Sequence, residues 1–163
     1  MTASKLSTEV LPSDNGEWLQ ITPGERFKIR TSVEETNGAF AMLEMVANPQ
    51  NGVPMHIHKN EVEHFIVLEG TLRIAIGERT LDAPAGTAVT VRKGVAHAWC
   101  NLSDTPLRML LVFSPGHIEQ LFREVAARQS DDITAILDKF GCLIVGPALL
   151  KSVHSINSPC EMT

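Results

Sequence analysis

The chain has 163 residues, 44% hydrophobic and 20% charged, with a net charge of −5. That length fits one domain of ~100–150 residues with its extensions, and the composition excludes global disorder. The acidic balance lacks the basic footprint that nucleic acids and anionic membrane surfaces demand, and no apolar run approaches the ~20 residues needed to cross a bilayer.

Residues 1–16 are polar and aperiodic and are expected to form an arm. Residues 17–113 are short segments between turn signals. Trp18–Thr22 is the first, and Arg26–Val33 alternates with period two, placing Phe27, Ile29, Thr31 and Val33 on one face. Asn37-Gly38 is a hairpin signal, followed by Ala39–Ala47. Then come Met55–His58, Val62–Leu68, Thr71–Ile76, Thr80–Leu81, Ala88–Arg92, His97–Trp99 and Leu107–Phe113, with Gly70, Gly77, Gly86 and Gly94 between them. Many short strands with glycine punctuation predict an all-β sandwich or barrel. The pattern changes at Ser114-Pro115-Gly116, which reads as a helix start with Ser114 as cap. Ile118, Leu121, Phe122, Val125 and Ala126 follow at helical spacing. A second helix is expected from Asp131 to Gly141, then a short strand Leu143–Val145, so residues 114–150 form a cap and 151–163 a polar tail. Met1–Gln20 has no apolar core of the signal-peptide kind, and Cys100, Cys142 and Cys160 form no CxxC pair. Free thiols and a cytoplasmic location are the expectation.

The histidines carry the chemistry. In a strand, His56 and His58 point the same way. Glu63 follows His58 by five positions, and His97 lies far along the chain. Three imidazoles and a carboxylate suit a divalent first-row metal and leave one or two positions open, as a catalytic metal requires. Glu61 is a competing carboxylate in the preceding turn and ranks below Glu63. His64, His117 and His154 are expected at the surface.

The spacing resembles the cupin superfamily of small β-barrels. Its first motif, G-x5-H-x-H-x3-4-E-x6-G, is matched by His56, His58, Glu63 and Gly70, and its second, G-x5-P-x-G-x2-H-x3-N, by Gly86, Gly94, His97 and Asn101. The first glycine falls at Gln50, with Gly52 nearby, and the proline is Arg92. The resemblance implies a double-stranded β-helix, or jelly-roll barrel, with a C-terminal two-helix cap. It makes His56, His58, Glu63 and His97 ligands of one divalent transition metal, whether Fe, Mn, Ni, Zn or Cu. The Phe-Ser-Pro-Gly start and Gly-Pro finish of the cap resemble small quercetinase-like cupins. That implies a dioxygenase in which Glu63 is also the catalytic base. The alternatives are a non-redox isomerase, cyclase or lyase, or a small-molecule-binding protein. A homodimer is the expected assembly.

Period-two reasoning outward from the ligands gives a candidate substrate pocket of Phe40, Met42, Phe65, Val67, Trp99, Met109, Leu111 and Phe113. On Ala39–Ala47 either that set or its alternate points inward. Such a lining suits a hydrophobic or aromatic small molecule; filling the barrel is the plainer role for the same side chains.

Overall fold

The computed structural model describes residues 16–128 and 133–149. Nearly all of the expected arm, the polar tail and the helix start at Asp131 lie outside them. Two antiparallel sheets face each other. The first is ordered β1 (Leu19–Thr22), β2 (Glu25–Thr31), β3 (Ala41–Ala47), β10 (Leu107–Ser114), β5 (Val62–Glu69) and β8 (Ala88–Val91). The second runs β11 (Cys142–Ala148), β4 (Pro54–His58), β9 (His97–Cys100), β6 (Thr71–Ile76) and β7 (Arg79–Pro84). This is the expected all-β double-stranded barrel, with two helices toward the C-terminus, α1 (Glu119–Ala127) and α2 (Ile133–Lys139). Among the described residues no helix is long and apolar enough to cross a membrane.

Register decides which side chains reach the interior. β10 lies between β3 and β5, and Leu107, Met109, Leu111 and Phe113 are buried on its inner face. Directly paired residues share a face. Phe113 pairs with Ala41 and Leu111 with Leu43, so Ala41, Leu43, Met45 and Ala47 point inward. This corrects the assignment of Phe40 and Met42 to the pocket. Phe40 precedes β3 and is 38% exposed, and Met42 is half-buried on the outer face. The outer face also holds Glu44, buried because Arg30 and Arg108 both ion-pair with its carboxylate.

The chain leaves the barrel through a close approach. Ser114 ends β10, and its hydroxyl donates to the Ala39 carbonyl at 2.9 Å instead of capping a helix. A 3-10 turn, Gly116–Ile118, precedes α1. At Gly116 a Cβ would sit 2.5 Å from the Phe40 carbonyl carbon, so only glycine fits there. α1 buries Leu121, Phe122 and Val125. Its first residue, Glu119, is buried and accepts from the Val33 backbone N–H at 2.6 Å. β11 is longer than the sequence suggested and pairs with β4, so the cap returns into the barrel's own second sheet.

Candidate metal centre

Both sheets contribute. β4 carries His56 and His58 two residues apart; His56 pairs in register with His97 at the start of β9. Glu63 comes from the facing sheet, on β5 opposite Phe113. The turn before His97 is held by backbone bonds. Gly94 N–H donates to the His58 carbonyl at 2.7 Å, and Val95 N–H to that of Arg92 at 3.2 Å. Arg92 itself is exposed, so the turn closes without the motif's proline. Gln50, at the position of the motif's first glycine, has φ 60, the left-handed conformation that glycine adopts most easily. Asn101 is fully buried and its amide donates to the carbonyls of Ala47 and Thr105, which makes it a structural tie in the loop after β9.

One ligand atom from each of His56, His58, Glu63 and His97 lies within 4.8 Å of all the others. Donors about 2.1 Å from a transition metal stand at most about 4.2 Å apart, so the widest pair of the cluster would close by roughly 0.6 Å around an ion. His56 Nδ1 faces the Pro54 carbonyl at 2.8 Å, and His97 Nδ1 that of Val95 at 3.0 Å. A carbonyl only accepts, so both rings carry a proton on Nδ1 and turn Nε2 inward; His97 carries a second proton on Nε2 where, as an imidazolium, it donates to Glu63. Glu63 Oε2 is 2.9 Å from His97 Nε2 and 3.2 Å from His58 Nε2. Burial pushes the Glu63 carboxyl up, but the hydrogen bonds from His58 and His97 outweigh it and hold it down at about 2. Burial and the neighbouring imidazoles push His56 down to about 4. Burial also lowers His97, yet Glu63 leaves it raised overall. A buried carboxylate ringed by three imidazoles is thus a site that demands positive charge. The donor set fits a divalent transition metal with positions to spare. Glu61, the competing carboxylate, is buried outside the cluster; its Oε2 and His58 Nδ1 are buried without a hydrogen-bond partner among the described residues.

A cavity of about 220 Å³ adjoins the cluster, with His56, His58 and Glu63 in its wall. Of the expected pocket residues, Trp99, Leu111 and Phe113 line it. Phe65, Val67 and Met109 are buried in the core behind that wall, and Phe40 and Met42 lie outside the barrel's inner face. Sequence reasoning missed the other side. Leu121, Phe122 and Val125 of α1 and Ile133 and Leu137 of α2 close the cavity, as do Phe27, Thr22 and Glu25. The helical periodicity marked the apolar face of α1, and Glu25 shares the parity of Phe27; neither feature revealed that the face turns toward the His/Glu cluster.

Residues 43–113 match the cupin domain family. Over 103 residues the chain is 25% identical to mannose-1-phosphate guanylyltransferase 2 of Escherichia coli O157:H7, covering 63% of this chain and 19% of that protein. The chain thus spans about a fifth of the length of the curated relatives it matches. Among solved structures, an RmlC-like cupin from Shewanella frigidimarina superposes with a TM-score of 0.60 at 17% identity, covering 70% of this chain and 96% of that one. The polyketide cyclase RemF from Streptomyces resistomycificus gives 0.58 at 17% identity, covering 65% and 78%. With both histidine motifs, the family match and the shared two-sheet barrel in hand, residues 43–113 form a cupin domain and the barrel around them has the cupin fold.

Proposed function

We propose that the protein is a metal-dependent, dioxygenase-type enzyme acting on an apolar or aromatic small molecule, with the metal held by His56, His58, Glu63 and His97. One observation carries the reading: four convergent ligands adjoin a cavity walled almost wholly by apolar side chains. A divalent metal bound there supplies a Lewis acid with open positions for a chelating substrate and O2. His56 and His97, anchored through Nδ1 to backbone carbonyls, keep their rings oriented before any ligand arrives. Glu63 serves as ligand and as acceptor of the substrate's hydroxyl proton. The hydrogen bonds that depress its carboxyl are made by imidazole Nε2 atoms, the same atoms a metal takes. Trp99, Phe113 and the α1 side chains exclude water from the reacting centre.

A second reading is non-redox ring closure or isomerisation of a similar substrate. The fold shared with a polyketide cyclase favours it. Oxygen-electrode measurements separate the two. Protein loaded in turn with Fe, Mn, Ni, Cu or Zn is given a panel of flavonols and catechols. Uptake with at least one metal and substrate is expected. No uptake in any combination, together with a product of unchanged mass, would overturn the dioxygenase reading in favour of the second.

A further inference from the structure

The cavity holds one carboxyl that the metal centre does not use. Glu25 lies in its wall, 3% exposed, at the start of β2. Its Oε2 accepts from the Thr22 hydroxyl at 2.8 Å, and Thr22 also lines the cavity. Among the described residues Glu25 has no ion pair and no other side-chain hydrogen bond, although an isolated buried carboxyl is costly. The backbone around it is held in place, since the Gln20 amide donates to the Glu25 carbonyl at 2.9 Å.

Strand register places Glu25 far from the metal ligands. Glu25 pairs with Ala47, the last residue of β3. Glu63 pairs with Phe113, and Phe113 with Ala41, the first residue of β3. The backbones of the two residues therefore register against opposite ends of β3, six residues or about 20 Å apart along it, and both side chains reach into the cavity between. Between them runs a row of rings. Phe27 meets Phe122 at 4.8 Å between centroids, Phe122 meets Phe113 at 5.6 Å, and Phe113 meets His58 at 5.6 Å.

We propose that Glu25, with Thr22 beside it, is the recognition point for the remote end of an elongated apolar ligand, accepting a hydrogen bond from a hydroxyl or ammonium group there. This rests on the metal reading of the His/Glu cluster, which fixes the ligand's other end. The ligand class that follows is a molecule with a metal-chelating oxygen pair at one end, an apolar body against Phe27, Phe122 and Phe113, and a hydrogen-bond donor at the far end. A carboxylate-tipped molecule is disfavoured by like charge.

Calorimetry on zinc-loaded protein tests it with alkyl hydroxamates of about six to ten carbons, which span the part of the strand spacing left once the side chains at each end have reached inward, tipped with methyl, hydroxyl or amino groups. Hydrogen bonds to charged groups predict that at least one chain length binds about tenfold more tightly when donor-tipped than when methyl-tipped. In Glu25→Met the preference disappears or reverses. Metal-dependent binding in which no donor tip gains affinity in the unmodified protein would overturn the proposal while leaving the metal reading intact. A gain that survives in Glu25→Met would also overturn it. If no hydroxamate binds in a metal-dependent way, the metal reading fails and takes this proposal with it.

Discussion

At Glu63 burial works against ionisation, yet two imidazole hydrogen bonds hold the carboxyl at about 2; at Glu25 burial pushes the carboxyl up to about 7, against the help of one threonine hydroxyl among the described residues. The contrast yields two predictions. Glu63 supplies the only carboxylate in the cluster. Glu63→Gln removes the one negative charge among three imidazoles while keeping the shape, so bound metal measured by mass spectrometry on protein purified without added metal should fall at least tenfold. Retention of a full equivalent would show that the metal sits elsewhere. The second prediction concerns pH. A carboxyl whose folded value is raised from 4.5 to about 7 favours the folded state below pH 4.5 and loses that contribution as the pH climbs to about 7. Glu25→Gln escapes the loss. Its unfolding free energy in urea should match the unmodified protein near pH 4 and exceed it by up to ~3 kcal/mol at pH 8. A constant difference across that range would show that Glu25 does not titrate in the folded protein.

At the scale of elements, α1 joins barrel and cavity. Phe122 is 8% exposed and lies between Phe27 and Phe113, so it ties the helix to β2 and β10 at once. Phe122→Ala should cost ~3–5 kcal/mol, read as a lower thermal midpoint, and should enlarge the cavity enough to admit bulkier apolar probes. An unchanged midpoint would mean that α1 is not docked as described. Helical spacing exposed this apolar face in the sequence, because i, i+3, i+4 periodicity depends on the helix alone. The inward face of β3 was less legible. Apolar residues fall on both alternating sets, Phe40, Met42 and Val46 against Ala41, Leu43 and Met45, so it is pairing with β10 that chooses the face, and that pairing links residues far apart in sequence. The same holds for β11, whose length follows from its partner β4. The four cluster residues could be read from motif spacing because the three histidines lie on two short strands, β4 and β9, and Glu63 follows β4 across a short turn at the start of β5. Glu25 could not, since its significance lies in a wall it shares with helices from the other end of the chain.

For the whole molecule, the His/Glu cluster is a joint between sheets. Glu63 belongs to one sheet and the three histidines to the other, so a bound cation cross-links the two halves of the barrel. An unfolded chain cannot present the four ligands together, so metal binding stabilises the fold by mass action. At free metal a hundredfold above Kd the gain is about 2.7 kcal/mol. For a chain of this size that corresponds to a rise in Tm of roughly 5–10 °C. Adding EDTA to the loaded protein should lower Tm by that amount, and excess zinc should restore it. His58→Ala should melt at the same temperature with zinc or with EDTA, since one of the two histidines on β4 is then gone. The zinc-dependent shift should also shrink below about pH 6, where protons compete for the imidazoles. A shift of equal size in His58→Ala would place the stabilising ion outside this cluster, and would remove the joint from any account of how the two sheets are held together.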